Sequence, residues 1–215
     1  MIDCNDAEAT LLLASTSPRR LSLLRAHGFN VTCSPADVDE RVFDHMPIAQ
    51  RVVALARLKV VEGSRNAPVP PHWAVGADTM VSIDGVALGK AADRAEARSM
   101  LMMLAGRTHI VSTGVCVLNR RTGTSASALS ETRVTFAPMN EAEIEGYLDT
   151  GEWIGVAGAY RAQERAAFFI ERLDGSFSGV VGLPLHEFYA ILASSGYPFQ
   201  FGSKADTVQP GVIAR

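Results

Sequence analysis

The chain is short of cysteine, of net charge and of long apolar runs, and each shortage closes off a class of protein. The three cysteines in 215 residues, Cys4, Cys33 and Cys116, are odd in number, far apart and without a C-x-x-C spacing. That excludes a disulfide framework and a thiolate metal site, and points to a reducing compartment. His27, His45, His72 and His186 show no ligand spacing, so a zinc centre is not expected. Twenty Lys and Arg against 23 Asp and Glu leave a formal charge of −3. No global basic field therefore recruits nucleic acid or an acidic membrane, and any anion must be held by a local cluster. No apolar stretch approaches the ~18 residues that span a bilayer. Asp3, Asp6 and Glu8 ahead of the short apolar run at 11–14 are unlike a signal peptide. The expectation is a soluble, cytoplasmic protein.

What the chain does have is material for a core. A hydrophobic fraction of 47% with 20% charged residues rules out a mainly disordered chain. At about 150 residues per domain, the length suits one large domain or two small lobes. Turn signals are spaced evenly, without repeats, charge blocks or a long linker, which favours one continuous α/β body.

The spacing predicts a buried strand over 10–14, then Ser17 as N-cap, Pro18 at the first helical position and a helix carrying Leu21 and Leu24 to a stop at Gly28. A second helix is predicted over 48–62, with Ile48, Val52, Leu55 and Ala56 on one face, Gly63 as terminator and Lys59 at the end of the stripe. Residues 73–83 read as a strand, turned by Asp84-Gly85 through a type I′ turn into a partner at 86–90. Asp93 with Glu96 caps a helix ending at Gly106. Asn140 with Glu143 caps another through Leu148, closed by Gly151. Strands are expected over 110–118 and 131–136, joined by a polar loop at 119–127. Pro184 opens a last helix carrying Leu185, Phe188, Tyr189 and Leu192. Beyond Gly202 the tail has little to bury and is expected to be mobile.

Three places in this frame hold charge that a simple core does not need. Ser15-Thr16-Ser17-Pro18-Arg19-Arg20 puts two guanidinium forks at a helix N-terminus, where unpaired N–H groups and the dipole already favour an anion. Without a ligand the same residues would make a capped surface helix with solvated arginines. Lys59 is either a snorkelling lysine or a phosphate-facing point charge. Asp78, in Gly76-Ala77-Asp78-Thr79, is a carboxylate within an apolar strand. It is expensive to bury unless a cation receives it, the alternative being an exposed edge position.

Pairing Ile83 with Val86 sets Lys90 opposite Thr79, and Asp78 then points to the other face unless a bulge at Gly89 intervenes. Glu40, in Ala36-Asp37-Val38-Asp39-Glu40, is a candidate second carboxylate for a hard divalent ion, or part of a solvated acidic loop. His109 is read as structural.

Taken together, these segments resemble the Maf family of nucleoside triphosphate pyrophosphatases. The resemblance runs from Leu12-Ala14-Ser15 and Ser17-Pro18-Arg19-Arg20 through Asp39-Glu40, Ala56-Arg57 with Lys59, and Gly76-Ala77-Asp78-Thr79. It continues with Gly89-Lys90, Gly106 with Thr108-His109, and Gly158-Ala159-Tyr160 with Gln163, to Val181-Gly182-Leu183-Pro184-Leu185.

The resemblance implies an elongated, two-lobed α/β fold with a mixed twisted sheet flanked by helices, like that of inosine triphosphate pyrophosphatases. It implies a single catalytic domain over 1–202 with a central cleft, a tail at 203–215, and a homodimer. The implied reaction is metal-dependent cleavage between the α and β phosphates of a nucleoside triphosphate. Asp78 is then the proton acceptor with Lys59 and Lys90 as catalytic cations, and Ser15, Arg19, Arg20, Thr79 and Gln163 bind substrate. Glu40 and Asp78 would hold Mg²⁺ or Mn²⁺.

Thr79, Tyr160 and Gln163 look like the dTTP/UTP branch. The branch acting on 7-methyl-GTP, a broader set of modified nucleotides, and a non-catalytic nucleotide-binding regulator of cell division stand as alternatives. The chain departs from the family pattern around the glutamine, where Arg161 and Glu164 replace glycines, at Gly155-Val156 in place of Asp-Lys, and at Ala91 in place of proline.

Overall fold

In the computed structural model, residues 10–67 and 71–199 are described. Cys4 and the tail beyond Gly202 lie outside them. The architecture is an elongated α/β fold with a mixed twisted sheet flanked by helices. The strands are β1 (Leu11–Leu13), β2 (Val31–Cys33), β3 (Trp73–Ile83), β4 (Val86–Leu88), β5 (Thr108–Asn119), β6 (Thr124–Phe136) and β7 (Ile170–Asp174). They form one sheet in the order β2-β1-β3-β5-β6-β7, with β4 added beside β3. β1 runs parallel to β2 and β3, and the other pairings are antiparallel.

The helices are α1 (Pro18–Ala26), α2 (Ile48–Asn66), α3 (Arg94–Leu104), α4 (Glu141–Asp149), α5 (Phe177–Val181) and α6 (Leu185–Ser194). On one sheet face, Leu12, Ala74 and Cys116 pack against Ala56 and Val60 of α2. On the other, Leu11, Leu13, Val75 and Ala77 meet Leu24 of α1 and Phe188 and Leu192 of α6. A third cluster, around Leu101, Leu104, Phe136, Tyr147 and Leu148, binds α3 and α4 to the far end of the sheet. Strand alternation therefore separates the two faces cleanly.

Two glycines let α2 lie directly on the sheet. A Cβ at Gly76 would collide with the Ala56 carbonyl and lie 2.7 Å from Val60 N, and one at Gly114 would collide with the Val52 carbonyl. Gly63 plays the same part from the helix side. It does not terminate α2, which runs on to Asn66; it is buried, and a Cβ there would meet Ala14 Cβ at 2.6 Å and the Ser34 carbonyl at 2.8 Å. Close backbone approach, rather than helix stopping, accounts for that glycine.

The capping expectations divide. Asp93 accepts from Glu96 N, and Asn140 with Glu143 forms a full capping box. Asp84 and Gly85 take positive φ values, as a type I′ turn requires. Ser17 makes no side-chain cap; its N–H donates instead to Ser15 Oγ at 3.1 Å. The predicted loop at 119–127 is mostly strand, because β5 and β6 pair continuously to Asn119 and Thr124. Small Ser, Thr and Ala side chains carry no strong periodic signal, yet the ladder satisfies their backbone.

Candidate active site

β3 is flanked on one edge by two short strands. β1 pairs with it at Trp73–Val75 and β4 at Val81–Ile83, so residues 76–80 have no strand neighbour on that side among the described residues. Asp78 and Thr79 sit in this gap and, by alternation, point to opposite faces of the sheet. A cavity of about 470 Å³ opens at the gap. Its lining includes Ser15, Arg19, Arg20, Glu40, Lys59, Asp78, Thr79, Lys90 and Gln163, so all nine residues singled out in the sequence border one space.

No bulge at Gly89 is needed for this. The β4 ladder ends at Leu88, Lys90 instead bridges Ala157, and the open edge gives one cavity access to both sheet faces.

On the α2 face, Asp78 is 5% exposed. Lys59 Nζ donates to Asp78 Oδ1 and to Glu40 Oε1, both at 2.6 Å. Asp78 Oδ2 is buried with no hydrogen-bond partner among the described residues. Burial alone would raise the Glu40 carboxyl, but the hydrogen bond and charge of Lys59, with Lys90 and Arg20 nearby, hold it below the usual range.

On the other face, Arg20 Nε donates to the Gly182 carbonyl at 2.7 Å, Nη1 to Ser15 Oγ at 3.2 Å and Nη2 to Thr79 Oγ1 at 3.2 Å. Three of its five N–H groups are thus spent on orientation, leaving two for a ligand. Burial lowers its pKa, while the Asp78 charge works the other way. Gly182 has φ +125, a conformation that favours glycine, and places its carbonyl under Arg20. The Arg19 side chain makes no hydrogen bond among the described residues. Its pKa is lowered by burial and by the Arg161 charge.

The wall opposite α1 includes residues 155–157 and 160–163. Gly158 and Ala159 both have positive φ, and this tight path brings Tyr160 beneath the cleft. Tyr160 hydroxyl and His109 Nε2 lie 2.8 Å apart, and burial pushes His109 down to about 4. His109 is therefore a neutral, structural histidine.

Reading along the sequence missed several participants. Arg51 also lines the cavity. Thr113, paired across the sheet with Thr79, has its Oγ1 at 3.0 Å from Thr79 Oγ1 and donates to the Gly179 carbonyl at 2.8 Å. A buried strand threonine gives no sequence signal of its own. Arg161 was visible as a departure from pattern, but its place in the cavity wall was not.

The lining carries six cations, Arg19, Arg20, Arg51, Lys59, Lys90 and Arg161, against two carboxylates, Glu40 and Asp78. A formal excess of four positive charges is concentrated here in a chain whose net charge is −3. An α/β body with such a cleft around one acidic strand residue is built to receive a polyanion.

The Maf-like protein profile matches residues 10–195, and the chain belongs to that family. It is 39% identical over 203 residues to a protein of Aromatoleum aromaticum named dTTP/UTP pyrophosphatase, covering 89% of this chain and 98% of that one. Proteins of the same name from Symbiobacterium thermophilum and Myxococcus xanthus are 43% and 40% identical, covering 89% and 90% of this chain and 97% and 96% of theirs.

Proposed function

We propose that this chain hydrolyses dTTP, UTP and related pyrimidine nucleoside triphosphates to the monophosphate and pyrophosphate. The observation that carries the reading is the formal excess of four positive charges lining the cleft around a nearly buried aspartate, which suits a triphosphate of about four negative charges. The relatives' names supply the base class.

A divalent ion fits the donor set. Asp78 Oδ2 is a buried oxygen without a partner among the described residues, and Glu40 adds a second carboxylate to the same cavity. That suits Mg²⁺ or Mn²⁺, which take one or two protein carboxylates and draw the rest of their ligands from phosphates and water. When bound, such an ion neutralises phosphate charge and acidifies water.

The protein's own groups do the remainder. Ser15, Arg19, Arg20, Lys59 and Lys90 hold and orient the phosphate oxygens. Asp78 accepts the proton of the attacking water as the α–β phosphoanhydride bond breaks and pyrophosphate leaves. Thr79 and Gln163 face the base. Glu164, next to Gln163 in the chain, faces Arg161 at 3.3 Å, and that neighbouring cation disfavours a cationic 7-methylguanine.

We read residues 1–202 as one catalytic body with a two-lobed cleft that works as a homodimer in the cytoplasm. No helix among the described residues is long and apolar enough to cross a membrane.

Incubation with Mg²⁺ and a nucleotide panel should release pyrophosphate from UTP and dTTP. Asp78→Asn should cut the rate by about 10²-fold or more. Release of inorganic phosphate in place of pyrophosphate, or unchanged turnover in Asp78→Asn, rejects the reading. Light scattering of the purified chain tests the dimer.

A further inference from the structure

Arg161, in the cleft wall, is loosely paired with Glu164, which lies next to the wall residue Gln163 in the chain. Arg161 Nη1 reaches the two Glu164 oxygens at 3.3 and 3.5 Å, and Nη2 reaches the Ile154 carbonyl at 3.3 Å. All three are long against the usual 2.7–2.9 Å of a charge-assisted bond. Arg161 Nε is buried with no partner among the described residues. The guanidinium also faces the like charge of Arg19, which Glu164 offsets only in part. A half-buried guanidinium whose Nε has no partner among the described residues, set beside another cation, is better satisfied when an acceptor enters the cavity.

Glu164 does a second thing. Gln163 Nε2 donates to Glu164 Oε1 at 3.3 Å. An ionised carboxylate only accepts, so it can hold the amide only by its NH₂ end. Gln163 Oε1 is then the end left for the cavity that Gln163 lines. Arg161 offers donors only and Gln163 Oε1 only accepts. A uracil or thymine edge presents the reverse, a 4-carbonyl acceptor beside an N3–H donor. Cytosine presents a 4-amino donor beside an N3 acceptor, which clashes with both.

We propose that Arg161 and Glu164 select a keto over an amino group at pyrimidine C4. Arg161 donates to the 4-carbonyl, and Glu164 is the positioning residue that fixes the Gln163 amide. This rests on the pyrimidine nucleotide reading above and names how that site chooses its base.

The test is the ratio of kcat/KM for UTP over CTP, together with the ratio of Kd values for CMP over UMP, in the full chain with Mg²⁺. Arg161→Ala should lower both ratios about tenfold or more, the loss for UTP appearing mainly in KM. Glu164→Gln frees the amide to flip and should lower both ratios about tenfold, whereas Glu164→Asp should restore part of the preference. A merely structural role would weaken UTP and CTP equally.

Ratios unchanged within about twofold in folded Arg161→Ala and Glu164→Gln would overturn the inference while leaving pyrophosphatase activity standing. A wild-type chain that hydrolyses no pyrimidine triphosphate overturns the functional reading and this inference with it.

Discussion

Lys59 Nζ lies 2.6 Å from Asp78 Oδ1 and 2.6 Å from Glu40 Oε1, so one ammonium is shared between a nearly buried carboxylate and a half-buried one. The sharing depends on α2 resting on the glycines of the sheet, which brings Lys59 level with the gap in β3. Lys59 thereby lies in the cavity against the proposed base, so its loss must be felt by Asp78 and by any anion the cavity takes. Lys59→Met should abolish most pyrophosphate release and leave Asp78 without its ammonium. Removing one partner of a buried pair costs up to about 3–5 kcal/mol. The double variant Lys59→Met, Asp78→Asn should therefore unfold at higher urea than Lys59→Met alone. If the double variant is the less stable of the two, Asp78 does not depend on Lys59 for its charge.

Glu40 and the unpartnered Asp78 Oδ2 predict how the protein depends on a divalent ion. Chelation should stop turnover, and added Mg²⁺ or Mn²⁺ should restore it, because an oxygen-only site exchanges freely. Glu40→Gln removes one charged donor but keeps an oxygen. It should raise the Mg²⁺ concentration for half-maximal rate about tenfold, in line with losses on removing groups that support a metal. An unchanged Mg²⁺ requirement would place the ion away from Glu40.

The sites legible in the sequence were those where local chemistry conflicts with its surroundings. Asp78 in an apolar strand, Lys59 at the end of an apolar stripe and two arginines after Ser17-Pro18 each break a pattern, and all border the same cavity. Strand length, the Asp84-Gly85 turn and the Asn140 capping box were legible because short-range rules determine them. What stayed hidden depends on distant partners. β2 and β7 are short strands ordered by their neighbours, and Gly63 reads as a stop until Ala14 and Ser34 are seen against it. The gap at residues 76–80 is a property of where β1 and β4 end. No local pattern in β3 announces it, and strict strand alternation argued for separating Asp78 from Lys90.

Gly114 stands opposite Asp78 in the β3–β5 register, and a Cβ added there would collide with the Val52 carbonyl of α2. Gly114→Ala should force the helix off the sheet, since backbone rather than a flexible side chain is in the way. Overpacking of this kind costs about 1–3 kcal/mol. The more informative effect is on rate. If α2 carries Lys59 away from Asp78, kcat should fall several-fold in protein that remains folded at the assay temperature. A lowered melting temperature with full kcat would show that the helix can shift without moving Lys59.

His109 and Tyr160 give the pH prediction. The imidazole is 1% exposed, its Nε2 is 2.8 Å from the Tyr160 hydroxyl and its Nδ1 has no partner among the described residues. Burial holds its pKa at about 4, against 6.5 when exposed. As pH falls below 6.5, the unfolded chain takes up this proton before the folded one, so stability is lost between about 6.5 and 4 and is unaffected above. The loss between pH 7.5 and 4.5 should be on the order of 2–3 kcal/mol from this group. His109→Gln retains a hydrogen bond to Tyr160 without a titrating proton. Urea unfolding at the two pH values should therefore show a smaller acid loss in the variant by about that amount. Equal acid losses in the two proteins would mean that His109 accepts its proton without penalty in the fold, and that its burial against Phe136 and Tyr160 is relieved at low pH by local opening.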